Sequence, residues 1–183
     1  YQSWNVQFTC CAETDFTRSI NNGTSFQPPL ALPQPRMKWA TLDTDSSGVL
    51  YMAGAALDQF GHVFARSDDA LNPAAAPTFD PPVHVNLDGY SGGFGGISGP
   101  NPEGLLGQVW VAAHPAKPGH VYILASVTTY NDPAEVMFVR SVDGGQTWSF
   151  PRRVNDDVFG NSAYQWFGTL SVAPNGRLDA TWN

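Results

Sequence analysis

"RSVDGGQTW", residues 140–148, packs a serine, an aspartate, two glycines, a threonine and a tryptophan into nine positions. A short carboxylate at Asp143 can accept hydrogen bonds from the backbone N–H groups of a tight turn. Gly145 suits a positive φ, and an aromatic at Trp148 can pack between neighbouring sheets. A loop that occurs once reads as a site; a loop that recurs reads as architecture. This one recurs. Residues 18–26, "RSINNGTSF", match it position by position, with Asn21 for the aspartate, Gly23 for the glycine and Phe26 for the tryptophan. A third copy begins at Arg66, Ser67, Asp68 and Asp69 and carries an insertion, "ALNPAAAP", before Thr78 and Phe79. The residues after each copy are alike too: "FQPPLALP", "FDPPVHVN" and "WSFPRRVN".

The segments upstream repeat as well. "ATLDTDSSGVLYMAG" (40–54), "VAAHPAKPGHVYILAS" (111–126) and "GTLSVAPNGRLDATWN" (168–183) are each an apolar strand, a polar turn ending in glycine, and a second apolar strand. Each unit therefore has four strands: an inner strand, a Gly turn, a second strand, a third ending at Arg-Ser, the Asp-rich turn, and a fourth after the aromatic. Tandem four-stranded units predict an all-β chain built as a β-propeller of antiparallel blades. The units span about 1–35, 36–88 and 108–156, with the start of another at 164–183, in one 183-residue segment. Composition agrees. Gly (18), Pro (15) and 13 % aromatics favour short strands and turns over helices. No stretch carries the i, i+3, i+4, i+7 apolar pattern of a helix.

Ser141, Asp143, Gly145, Thr147 and Trp148 fit the Asp-box pattern Ser-x-Asp-x-Gly-x-Thr-Trp, and the copies at Ser19–Phe26 and Ser67–Phe79 are degenerate versions of it. On these residues the chain resembles the sialidase-like (BNR, Asp-box) β-propeller superfamily along essentially its whole length. The resemblance implies a ring of six or seven blades, of which about three are present. The remaining blades are expected in the same longer chain or in a second copy. It also implies a glycan or glycoconjugate partner and an extracellular or periplasmic location. Two functions are implied by it: exo-glycosidic hydrolysis, or a non-catalytic propeller that binds carbohydrate or protein.

In such a propeller the Gly turns and Asp boxes share one face, and family members place their sites on the loops of the other. Those loops are 31–38, 55–61, 86–108, 127–135 and 155–166. They bring candidate catalytic groups Asp58, Asp88, Glu103, Tyr130, Asp132 and Glu135, and candidate ligand-binding groups Arg36, Tyr90, Tyr164 and Trp166. Asp156 and Asp157 lie in the last loop, and Gln59 and Lys38 in the first two. Aromatics beside carboxylates suit a sugar, because ring faces pack on C–H faces while carboxylates serve as acid, base or acceptor. Solvated turn residues are the plain alternative for each. A sialidase would further need three arginines. Arg18, Arg66 and Arg140 precede the boxes at equivalent positions and read as structural, Arg177 lies in a Gly turn, and Arg152 and Arg153 come after a box on an outer strand. Only Arg36 sits near a site loop, in "PQPRMKW", which departs from the family's Phe/Tyr-Arg-Ile-Pro motif. This segment alone does not assemble the cluster.

Other signals are weaker. "DTDSSG" (43–48) spaces Asp43, Asp45 and Ser47 like an acidic calcium loop, but "HPAKPG" and "APNG" occupy the same turn without those ligands, so a Gly turn is expected and no cofactor is assigned. The glycine-rich stretch 86–107 lacks the strand–loop–helix setting of a phosphate loop. His62, His84, His114 and His120 lack metal-ligand spacing, and Asn22-Gly-Thr is a glycosylation sequon on an exposed turn. Adjacent Cys10 and Cys11 read as two thiols, with a strained vicinal disulfide as the alternative, and not as a disulfide framework. Net charge is −7 with nine scattered Lys and Arg, which argues against nucleic acid and anionic membranes. No apolar run approaches the roughly 18–20 residues of a membrane span.

Overall fold

A computed structural model describes residues 1–4, 14–57, 61–91, 107–129, 132, 134–161 and 163–183. Among these, every regular element is a β-strand. Strands β3 (Met37–Thr44), β4 (Leu50–Ala56), β5 (His62–Ser67) and β6 (Val83–Val85) form one antiparallel four-stranded meander. Strands β7 (Trp110–Ala113), β8 (Val121–Val127), β9 (Glu135–Ser141) and β10 (Arg152–Arg153) form a second. Before them β1 (Gln2–Ser3) pairs with β2 (Phe16–Thr17), which is bridged to Leu30; after them β11 (Thr169–Val172) pairs with β12 (Leu178–Thr181). The four-strand repeat expected from the sequence is thus present twice in full, and in part at each end. No helix among the described residues is long and apolar enough to cross a membrane.

Middle strands are buried on both faces, and their sequences obey this. The strands "LYMAGAA" and "VYILASV" are apolar almost throughout, with every residue buried, as expected of strands sandwiched between neighbouring sheets. The main core runs from Tyr51, Phe64 and Val85 on one four-stranded sheet to Val111, Ile123, Val127 and Val139 on the other.

The three Asp-rich turns close by one hydrogen-bond scheme. In 141–148, the Ser141 hydroxyl donates to Asp143 Oδ1 (2.7 Å) and accepts from Gly145 N–H (2.9 Å). Asp143 accepts from the Thr147 backbone (2.9 Å) and hydroxyl (2.5 Å). In the first copy Ser19 accepts from Gly23 N–H (2.8 Å) and Asn21 Oδ1 from Ser25 N–H (3.0 Å). In the third, Asp69 still accepts from the Thr78 backbone (2.8 Å) and hydroxyl (2.6 Å). The insertion 70–77 therefore bulges between the two ends of an intact lock.

Asn21 survives because its amide Nδ2 donates to Ser25 Oγ (2.9 Å), replacing a bond that a carboxylate would accept. The Thr147 hydroxyl and N–H, with Ser141, hold the Asp143 carboxyl down at about 2. A depressed carboxylate stabilises the fold fully above its ordinary pKa of about 4, and that contribution disappears as pH falls from there toward 2. Asp143→Asn should cost about 0.5–1.5 kcal/mol at neutral pH, and urea midpoints of variant and parent should converge between pH 4 and pH 2. A constant gap across that range would contradict the role given to the carboxylate.

The second and third turns along the chain lock onto the sheet before them. Trp148 meets Phe64 of β5 edge-on, with ring centroids 5.0 Å apart, and Phe79 meets Phe16 of β2 in the same way at 5.1 Å. Phe16 and Phe64 each begin a Phe-x-Arg triplet, as Phe138 does. The arginines reach the same way. Arg18 is 1 % exposed; it donates to the Ala70 carbonyl (2.5 Å), to the Ala75 carbonyl, and to Gln27 Oε1 (2.6 Å). Insertion 70–77 is thereby wrapped around an arginine of the previous sheet. Arg66, paired with Asp80 at 3.1 Å, lies where a Cβ on Gly144 would come within 2.8 Å of its Nη1.

The inner strands are joined by side chains. Val109 N–H donates to the Trp39 carbonyl (3.0 Å), Val111 N–H to the Thr41 hydroxyl (2.8 Å) and Ala113 N–H to Asp43 Oδ2 (2.8 Å). Thr41 and Asp43 so satisfy edge N–H groups that β7 cannot give to a ladder. Asp45 clamps the turns. Its Oδ1 accepts from Ser47 N–H (2.9 Å), Ser47 Oγ (2.6 Å) and Val49 N–H (3.2 Å), and its Oδ2 from the Tyr51 hydroxyl (2.8 Å) and, across the sheet boundary, Gly119 N–H (3.1 Å). Burial pushes this carboxyl up, yet the bonds from Ser47, Tyr51 and Gly119 outweigh it and hold the pKa below the ordinary value. Spacing that resembled a calcium loop serves here to gather hydrogen-bond donors.

Candidate functional site

Gly turns and Asp-rich turns lie together at one end of the strands, as Gly119 shows by accepting from Gly144 N–H (2.9 Å) and donating to Asp45. Segments at the opposite end precede β3, β7 and β11 or join β4 to β5 and β8 to β9. Among the sequence candidates, Asp58, Glu103 and Tyr130 lie outside the described residues, as do Cys10 and Cys11. The others fall into separate neighbourhoods at this loop end.

One neighbourhood forms around β9 and residues 154–161. Glu135, 1 % exposed, accepts from Arg153 Nη1 at 3.0 Å through Oε1 and from the Asn155 amide through Oε2. That same amide nitrogen donates to Asp157 Oδ1 (2.6 Å), and Arg153 Nη2 donates to the Asp157 carbonyl (2.7 Å). The Asn155 amide, ahead of Asn161, holds the Asp157 carboxyl below the usual range. Asp132 Oδ2 accepts from Gly160 N–H (2.8 Å), while its Oδ1 is buried with no partner. Ala134 bridges to Tyr164. Glu135 and Asp132 therefore brace the 154–161 loop, and that loop holds Val158 and Phe159 in solvent, 77 % and 54 % exposed. Trp166, half-buried, pairs its backbone with Asn183 and lies 4.9 Å from the Phe167 ring.

Residues 86–91 cross from one four-stranded sheet to the other. Asp88, exposed and at φ +60°, turns the chain with its N–H on Asn86 Oδ1 (2.8 Å). Tyr90 then pairs with Thr128 through both backbone groups (3.2 and 2.8 Å) and leaves its ring 45 % exposed. His62, fully buried, fixes this crossing. Ser91 Oγ donates to the Ser126 carbonyl (2.9 Å), so the 2.7 Å contact to His62 Nε2 is a bond from the imidazole N–H. Burial pushes the His62 pKa down to about 4.

The second neighbourhood holds a cavity of about 200 Å³ between the β1–β2 sheet and the β3–β6 sheet. Its polar lining is Ser3, Trp4, Asp15, Trp39 and Gln108, with Met37 and Met52 behind. Arg36, the sequence candidate, stands at its border with its Nε 3.8 Å from Asp15 Oδ2. Asp15 is 2 % exposed, and its Oδ1 accepts from Leu32 N–H (2.7 Å). Burial raises the Asp15 pKa, against the Leu32 bond and the Arg36 charge. Trp39 sits at φ +53°, where β3 shifts register between Lys38 and Thr41, a conformation rare for a bulky side chain and found where structure around it compels it. The Lys38 ammonium lies 4.6 Å above the Trp39 ring, and burial lowers its pKa.

Of this cavity, the sequence reading reached only Arg36. One signal was available. Aligned on Phe-x-Arg, Asp15 stands where the next two units carry Val63 and Met137, all three buried. A charge at an apolar position of a repeat marks a place where local consistency yields to another requirement. A scan against protein-family models and a search of curated proteins found no match to this chain.

Proposed function

We propose that the chain is a segment of a sialidase-like Asp-box β-propeller whose loop end binds glycans. The propeller reading is supported by successive four-stranded meanders, by inner strands β3 and β7 lying side by side in parallel at Ala40 and Val109, and by three turns that close alike. The glycan reading rests on one observation: a cavity at the loop end lined by two indoles, a carboxylate, an amide and a hydroxyl. Apolar faces with a few convergent polar groups are what a small-molecule site needs, and sugars present both C–H faces and hydroxyls.

Binding is favoured over cleavage by the state of the carboxylates. Glycosidic hydrolysis uses two facing carboxyl groups roughly 5–9.5 Å apart. Both oxygens of Glu135 are engaged by Arg153 and Asn155, and Asp15 is the one carboxylate of the cavity among its described lining residues. Hydrolysis remains a second reading because burial raises Asp15, the direction that suits a general acid. A glycan array, and then fluorogenic glycosides, separates them. Retention of glycans without turnover is the expected result. Turnover abolished by Asp15→Asn would establish hydrolysis, and silence in both assays would leave the loop end as a protein-binding surface.

A further inference from the structure

Resting on the glycan reading, we propose that the cavity between the first two sheets takes one neutral sugar ring, a terminal hexopyranose, rather than an acidic sugar. Size comes first. About 200 Å³, bounded by the described residues, lies below the roughly 300–1,000 Å³ of sites for drug-sized ligands and matches one ring. Polarity comes second. Asp15 lines the cavity with a carboxylate whose Oδ1 is held by Leu32 N–H. A buried carboxylate accepts hydroxyl protons, and its charge is already matched by Arg36, whose Nε lies 3.8 Å from Oδ2, so the ligand that fits brings hydroxyls and no charge of its own. Trp4 supplies the complementary group, for its indole Nε1 is buried with no partner. An unpaired buried donor is costly, and a sugar hydroxyl oxygen would satisfy it. Gln108 and Ser3 add a donor–acceptor pair and a hydroxyl on the same lining. Trp4 and Trp39 bring apolar indole surface to the same lining, suited to the C–H side of a pyranose, and Lys38 covers one face of the Trp39 ring. The repeat supplies an independent argument, since the equivalent positions of the next two units carry the buried apolar residues Val63 and Met137.

The test is titration of the full chain with methyl glucopyranoside, methyl galactopyranoside and methyl mannopyranoside, and with N-acetylneuraminic acid as the acidic comparison. Tryptophan fluorescence and the indole N–H resonances in nitrogen-15 NMR are read together. At least one neutral glycoside should saturate and shift the Trp4 indole resonance, and the acid should not. Asp15→Val, which restores the residue type of the next unit, should keep the strand signature in circular dichroism and abolish binding. Gln108→Ala, at an exposed position, should weaken binding about tenfold, the loss of one hydrogen bond. Binding of the acid alone overturns the sugar class and spares the glycan reading. Undiminished binding by folded Asp15→Val, or by Gln108→Ala, overturns the cavity. No binding to any of the four, with glycans still retained on the array, overturns this proposal alone; silence on the array overturns both.

Discussion

Gly145→Ala is expected to lower the unfolding free energy by roughly 2–5 kcal/mol, combining a left-handed backbone penalty of about 1–2 kcal/mol with overpacking of about 1–3 kcal/mol. Gly145 has φ +90°, and a Cβ built there lies 2.1 Å from Cε1 of Phe64 and 2.6 Å from its Cζ. Phe64 cannot withdraw freely, because it stacks on Tyr51 at 5.9 Å on one side and meets Trp148 on the other. The control lies in the same chain. Gly23 holds the equivalent place in the first turn at φ +82°, but a Cβ there has nothing within 4 Å. Gly23→Ala should therefore cost only the backbone part, about 1–2 kcal/mol. Urea unfolding of the two variants reads the difference directly. Equal losses would mean that contact with the preceding sheet contributes nothing at this position.

Asp45→Ala should be comparably damaging, by about 3–5 kcal/mol. It orphans the buried Tyr51 hydroxyl and the half-buried Gly119 N–H, at up to about 1–3 kcal/mol each, as well as opening its own turn. Tyr51 is 1 % exposed, so water cannot replace the carboxylate there without rearrangement. Asp45→Asn should fall between variant and parent, since its carbonyl still accepts while its amide faces donors. Hydrogen exchange discriminates mechanism from general weakening. Under native conditions the Gly119 amide, a turn away on the other sheet, should lose protection before the β8 ladder does. Unchanged protection at Gly119 with a lowered midpoint would place the damage elsewhere.

Much of the fold was legible because its determinants are local. Each Asp-rich turn is closed by bonds spanning two to nine residues, from Ser67 to Asp69 and Asp69 to Thr78 at the longest, so spacing in the chain carries the geometry. The same locality makes the insertion at 70–77 readable as an interruption rather than a new element. What the alignment of the turns did not expose was their reach, since nothing in the sequence pairs Phe16 with Phe79 or Phe64 with Trp148, 63 and 84 residues further on. The site was less legible for a related reason. Ser3, Asp15, Trp39 and Gln108 come from four segments that share no motif, and their meeting depends on how two sheets abut. Asp132 and Glu135 illustrate the converse. Carboxylates of one candidate loop hold another, the 154–161 loop, because a loop needs partners for its polar groups.

The direction in which these turns reach has a consequence for biosynthesis. Phe79 and the 70–77 insertion dock on Phe16 and Arg18, and Trp148 and Gly145 dock on Phe64. In each case the receiving surface lies nearer the N-terminus than the segment it receives. A chain emerging from the ribosome at about 5–20 residues per second therefore presents the template before the piece that fits it in both of these cases. For these two turns growth is vectorial: each meets a surface already made, and neither waits for a sequence not yet synthesised to be seated.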